Sequence, residues 1–305
     1  MRAVPQVTVL IATLLFPAAV CRAQLPVTQN PSPMVEHTRA HVRITPQELA
    51  GITRTFTGPL GKPIELFITA KSQSTHKLKL VVHFFGTPFI PQYAVAQLGA
   101  DYAVAVVNIG SGSGIYDRTF TEPAAFDSLL ANIQRETTAA LGHVVAFRSI
   151  TLSGFSAGHG AIRAILRDST HFENVNAVLL LDGLHTSYVP EGTPLEKGGA
   201  LDTHNLDAFV RFGRAAMRGE KRFVITHSEI FPGTFASTTE TTDYLALTLG
   251  IVRLPVLRWG PGGMQQLSDA TRGRFEILGF AGNTAPDHID QFQGMSTFLR
   301  LLERR

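Results

Sequence analysis

The chain has 305 residues, of which 44% are hydrophobic, with 27 Lys and Arg against 24 Asp and Glu. That hydrophobic share can supply a sizeable core. The charge is near balance and no dense Lys/Arg run is interleaved with aromatics, so nucleic acid is not expected as a partner.

The first 23 residues read as an address. Arg2 gives a positive start, and an apolar run from Val7 to Val20 follows, broken only by Thr8, Thr13 and Pro17. Cys21-Arg22-Ala23 then offers small residues at the positions a signal peptidase reads. The run falls short of the ~20 apolar residues that a membrane span needs. An uncleaved anchor or a lipid anchor on Cys21 is the alternative, and Val20 is bulky for the second. Cleavage would remove Arg2 and Arg22, so Lys plus Arg falls from 27 to 25 against 24 acids. The only cysteine, Cys21, would leave as well. The mature protein would then have no disulfide, no thiol nucleophile and no thiolate metal site. The expected location is secreted or periplasmic, with no stable membrane insertion after cleavage.

Residues 24–50 are rich in Pro, Gln, Thr and His and read as a tether. Residues 52–58 and 63–69 flank the turn Pro59-Leu60-Gly61-Lys62 and suggest a hairpin. Four buried-strand patterns follow at 77–86, 102–109, 149–155 and 176–182, and two more at 222–228 and 274–280. Their near-continuous Val, Ile and Leu fits strands covered on both faces. Between them, Phe126, Leu129, Leu130 and Ile133 recur at helical spacing, as do Ile162, Ile165 and Leu166. Phe292, Met295, Phe298, Leu299 and Leu302 do so near the C-terminus. Residues 183–200 and 250–273 read as the longest irregular stretches. The plan is an α/β domain over residues 51–305, with eight strands in a mostly parallel sheet and helices on both faces.

The strongest chemical signal is Gly154-Phe155-Ser156-Ala157-Gly158, where a buried strand ends and a helix begins. A serine nucleophile must stand on a sharp turn so that its hydroxyl is exposed. Side chains two residues away on either side would strike the flanking backbone, so both positions favour glycine. The following helix points its positive end at developing negative charge, and the Ala157 N–H can donate to an oxyanion. The plain alternative is a Gly-rich strand-to-helix turn. His159, in the first helical turn, reads as a packing or surface residue.

On this motif and the strand order the chain resembles the α/β-hydrolase superfamily of esterases and lipases over residues 52–303, with a small cap or none. The resemblance implies a catalytic histidine after the last strand, which is His288 in Pro286-Asp287-His288-Ile289-Asp290. The alternative there is a helix-capping region with Asp287 as the cap. It also implies a second oxyanion donor after the third strand. Phe85-Gly86-Thr87-Pro88 matches the relatives' His-Gly-x-Pro with Phe85 in place of the histidine, making Thr87 the donor. The acid is Asp182, which closes an apolar strand, or Glu229, at the position most relatives use. Asp182 is favoured because a carboxylate there is costly unless something uses it. His83, His185 and His227 end strands and read as supporting residues.

The expected function is hydrolysis of an acyl ester through Ser156, with no cofactor and no metal. Peptidase or acyltransferase activity is the alternative among enzymes, and a non-catalytic binding protein the alternative outside them. The run Gly110-Ser111-Gly112-Ser113-Gly114 and the segment Trp259–Met264 are candidates for shaping the substrate pocket.

Overall fold

The computed structural model describes residues 40–99 and 101–304. The expected signal peptide, residues 1–23, and tether residues 24–39 lie outside the described residues. β1 (Gly51–Thr57) and β2 (Pro63–Thr69) form the expected hairpin, with Gly51 opposite Thr69. β3 (Lys77–Phe84), α1 (Phe89–Leu98), β4 (Tyr102–Val107), α2 (Ser113–Phe120) and α3 (Pro123–Leu141) follow. Next come β5 (Ala146–Phe155), α4 (His159–Arg167), α5 (Ser169–Asn174) and β6 (Val175–Leu181). A two-residue ribbon, β7 (Tyr188–Val189) with β8 (Ala200–Leu201), leads to α6 (Asp207–Met217), β9 (Arg222–His227) and α7 (Thr238–Leu249). The chain ends with β10 (Leu254–Trp259), β11 (Gln265–Arg272), β12 (Phe275–Phe280), α8 (Ala285–Gln293) and α9 (Met295–Leu301).

All strands but β7 and β8 lie in one ten-stranded sheet, ordered β1-β2-β4-β3-β5-β6-β9-β12-β11-β10. The run from β4 to β12 is parallel, and β2 is antiparallel to both β1 and β4. The alternation of side chains along each strand separates two cores. Leu78, Leu80, Val82 and Phe84 of β3 join α2, α3, α4 and α6 on one face. Val81 of β3 and Val104 and Val106 of β4 join α1, α8 and α9 on the other.

Three expectations change. The sheet has ten strands because β10 and β11 add an antiparallel hairpin within 250–273, a stretch expected to be irregular. The C-terminal helical pattern is two helices, broken at Gly294, where an added Cβ would lie 2.7 Å from Phe298 and 2.8 Å from Pro261. The end of the tether is held down: the Ile44 N–H donates to Gln293 at 2.8 Å, and His41 bonds Asp290 at 2.8 Å. No helix among the described residues is long and apolar enough to cross a membrane. The excursion after β6 holds only the short ribbon and two 3-10 turns, so any cap is small.

Candidate active site

Ser156 stands where β5 gives way to α4, in a short 3-10 turn spanning residues 156–158. Its φ is +46°, a conformation that side-chain-bearing residues adopt at a cost of order 1–3 kcal/mol. The flanking glycines explain why the turn can close. A Cβ on Gly158 would lie 2.1 Å from the Phe84 carbonyl oxygen, and one on Gly154 3.0 Å from the Gly158 carbonyl carbon. A third glycine does the same from the next strand: a Cβ on Gly183 would meet the Ser156 carbonyl oxygen at 2.7 Å. Gly183 was not singled out from sequence, although it follows Asp182 directly.

Asp182 ends β6 with a φ of +42°. With Ser156 and Phe85 (φ +69°) it completes the non-glycine residues of positive φ among the described residues. All three gather at the same end of the sheet, where β3, β5 and β6 stop side by side. The Asp182 carboxylate is buried and fully bonded. Oδ1 accepts from the Ser228 N–H at 2.9 Å and the Thr238 hydroxyl at 2.6 Å. Oδ2 accepts from the Ser228 hydroxyl at 2.6 Å and from His288 Nδ1 at 2.7 Å. Burial alone would push this carboxyl up. The His288 hydrogen bond and charge, with the two hydroxyls, outweigh it and bring the group down to about 2.

His288 follows the last strand, as expected, and lies in the first turn of α8. Thr284 is the N-cap and Asp287 completes its capping box, so Asp287 is not itself the cap. With Nδ1 donating to Asp182, the His288 Nε2 is left as the lone-pair nitrogen. The ring rests on Phe155, centroids 4.5 Å apart, and Phe155 stacks on Phe292 at 4.7 Å. Phe292 in turn stacks on His83 at 5.2 Å. Glu229, the other candidate acid, is not brought to His288. It is exposed, its N–H donates to the Gly282 carbonyl at 2.9 Å, and its carboxylate accepts from the Gly282 N–H at 3.4 Å.

The turn after β3 is pinned by Asn108, which accepts from the Gly86 N–H at 3.0 Å and donates to the Gly86 carbonyl at 2.9 Å. The Phe85 N–H donates to Val107 at 3.3 Å. The Thr87 N–H has no acceptor among the described residues. His83 is buried, bonded to the Ser153 hydroxyl and the Phe85 carbonyl at 3.1 Å each. Burial lowers its pKa to about 3, so it is a neutral prop for the turn.

A cleft of about 500 Å³ opens at this end of the sheet. Ser156, Ala157, Phe85, Ser113, His159 and His185 contribute to its walls, with Gly112 and Gly114 beside Ser113. Thr87 and His288 are not among its lining. His159, expected to be a packing or surface residue, is buried, yet it lines the cleft; its Nδ1 bonds the Ser156 carbonyl at 2.9 Å. His185 also lines the cleft, whereas His227 bonds Thr239 at 3.2 Å behind it. The Gly110–Gly114 run thus reaches the cleft. The Trp259–Met264 segment does not: it forms the β10–β11 connection, beside a separate depression. Among the described residues, His41, Asp287 and Asp290 could together approach a metal ion, but Arg43 already pairs with Asp290 there. That group lies outside the cleft lining.

No protein-family model matches the chain, and no curated protein matches it in sequence. The structure is similar to the enterobactin esterase of Shigella flexneri, at 10% identity, 84% of this chain, 60% of that one and a TM-score of 0.47. It is similar to a thermostable esterase at 14% identity, 83% of this chain, 61% of that one and a TM-score of 0.45. It is also similar to esterase 2 of Thermogutta terrifontis, at 16% identity, 87% of this chain, all of that one and a TM-score of 0.44. The chain spans about three fifths of the length of the first two. The antiparallel β2, the crossed order β4-β3-β5-β6 and the serine-bearing turn after β5 are, on their own, those of the α/β-hydrolase fold.

Proposed function

We propose that this protein is an exported serine hydrolase that cleaves carboxylic esters through an acyl-enzyme on Ser156. The observation that carries the reading is the hydrogen bond from His288 to the buried Asp182, beside a serine at positive φ on a glycine-flanked turn. The Ser156 hydroxyl oxygen attacks the ester carbonyl while His288 Nε2 takes its proton. Asp182 holds the imidazole in the required tautomer and stabilises the imidazolium. The Ala157 N–H, at the positive end of α4, and the Thr87 N–H, which has no acceptor among the described residues, receive the oxyanion. Collapse of the tetrahedral adduct breaks the bond to the alcohol oxygen, which takes the proton from His288. Water then adds to the acyl-enzyme by the same route, releasing the acid and restoring Ser156.

A fluorophosphonate probe should label Ser156 in the wild type and leave Ser156→Ala unlabelled. Ester turnover in Ser156→Ala should fall by roughly 10⁶, and retained turnover would locate the chemistry elsewhere. Export rests on the apolar run before Ala23. Mass spectrometry of secreted or periplasmic protein should find an N-terminus near Gln24, and an intact Met1 on a cytoplasmic protein would refute it.

A further inference from the structure

Arg163 has no part in the chemistry above, yet it faces the same space. It lies on α4, is only 9% exposed and lines the cleft that holds Ser156. No other residue lining the cleft is an Arg, Lys, Asp or Glu. Its Nε donates to Asp117. Asp117 also accepts from Arg167 at 3.3 Å, so one carboxylate serves two guanidinium groups. The two terminal nitrogens of Arg163 have no acceptor among the described residues. A guanidinium carries five N–H donors in a planar fork, and the terminal nitrogens of Arg163 reach solvent in the cleft, where they are free to take an anion.

The rest of the cleft carries no competing charge. His159 and His185 bond the Ser156 and Ala236 carbonyls through Nδ1, each at 2.9 Å. Burial holds both below the ordinary histidine value, and at His159 the neighbouring His185 and Arg163 add to the effect. Phe85 and Phe235 give apolar wall. His159 and Arg163, four residues apart, share one side of α4, and the turn that carries Ser156 leads directly into that helix, with all three lining the cleft. Three residues of 3-10 turn and four of α-helix from Ser156 to Arg163 rise about 12 Å, and the Arg163 side chain leans back toward the helix N-terminus. A group held by Arg163 therefore sits several bonds from a carbonyl at Ser156. The leaving alcohol must stand beside His288 to take its proton. His288 does not line the Arg163 cleft, so that cleft receives the acyl part.

We propose that the cleft selects esters whose acyl chain ends in a carboxylate, which Arg163 binds through its free fork while Ser156 attacks the ester carbonyl; this rests on the ester-hydrolysis reading above. The test compares kcat/KM for monomethyl adipate and methyl hexanoate, which differ in the terminal carboxylate. The wild type should favour the adipate ester, and in folded Arg163→Gln the ratio should fall roughly 10- to 100-fold. No wild-type preference, or a ratio unchanged in folded Arg163→Gln, overturns the proposal. Should Arg163→Gln fail to melt cooperatively, Arg163→Lys keeps a charge for Asp117 but loses the fork, and the ratio must still fall. Adipate binding by calorimetry separates the two readings. If neither ester is turned over, the ester reading fails. Binding of adipate that Arg163→Gln abolishes would still support the carboxylate site, and no binding would overturn it.

Discussion

Asp182 accepts hydrogen bonds from the Ser228 backbone, two hydroxyls and one imidazole, and that set determines what neutralising it does. In Asp182→Asn an amide nitrogen or oxygen must face His288 Nδ1, and the imidazole loses the partner that fixes its tautomer. We expect kcat on a nitrophenyl ester to fall by roughly 10⁴, with the variant shown folded by thermal melting. Glu229→Gln should cost little, because Glu229 is exposed and bonded to Gly282 rather than to His288. A large loss at Glu229 alone would move the acid to the end of β9. Both residues end strands, so strand position alone left the choice open. What separates them is the support around the carboxylate. Ser228 and Thr238 supply it from segments 46 and 56 residues away, a convergence no local pattern announces. The sharp turn at Ser156 was legible because the glycines at 154 and 158 record a backbone collision that any side chain there would cause. The pairing of His288 with Asp182 was legible only through the place of each in the chain order.

At the scale of elements, the buried strands were readable and the sheet's outer hairpin was not. β4 and β6 are nearly unbroken apolar runs covered on both faces, which is how a parallel strand announces itself. β10 lies at the sheet edge with Leu254, Leu257 and Trp259 exposed, and it contains Pro255. Its partner β11 reads Gln-Gln-Leu-Ser-Asp-Ala-Thr-Arg, so neither strand carries the signature of burial. Edge position tolerates this, since a proline there breaks no ladder on its open side. Two substitutions test how elements hold the site. Gly158→Ala would drive a Cβ against the Phe84 carbonyl, 2.1 Å away, and backbone cannot swing aside as a side chain can. The expected outcome is a loss of roughly 1–3 kcal/mol with activity reduced beyond what the lower melting point explains. Thr284→Ala removes the N-cap of the helix that presents His288. It should cost about 1 kcal/mol in urea unfolding, and kcat should fall because the first turn of α8 frays. Unchanged kcat with the stability loss present would mean that the Asp182 bond and the Phe155 ring suffice to hold His288.

For the whole molecule, the buried histidines predict how stability depends on pH. His83, His159, His185 and His227 are held below the ordinary value of 6.5, all chiefly by burial, with His83 at about 3 and His227 at about 4. Below pH 6.5 the unfolded chain binds protons at these sites and the folded protein does not. Stability is therefore full above 6.5 and falls as pH drops toward the folded values. Each such histidine contributes up to about 1.4 kcal/mol per pH unit in that window. His83 and His227 together could remove about 3 kcal/mol per unit, a large share of the 5–15 kcal/mol typical of a domain. Asp182 acts in a different window. Its carboxyl is lowered from 3.8 to about 2, so its contribution is present above 3.8 and lost only below that. Urea unfolding at pH 7.5, 6.5, 5.5 and 4.5 should show a plateau, then a decline that begins near 6.5. His227→Asn, if folded, should flatten the decline by about one proton's worth of slope. Stability that stays level from pH 6.5 to 4.5 would mean these imidazoles find water or acid partners when protonated, and that the core around β3 and β9 opens more readily than its packing indicates.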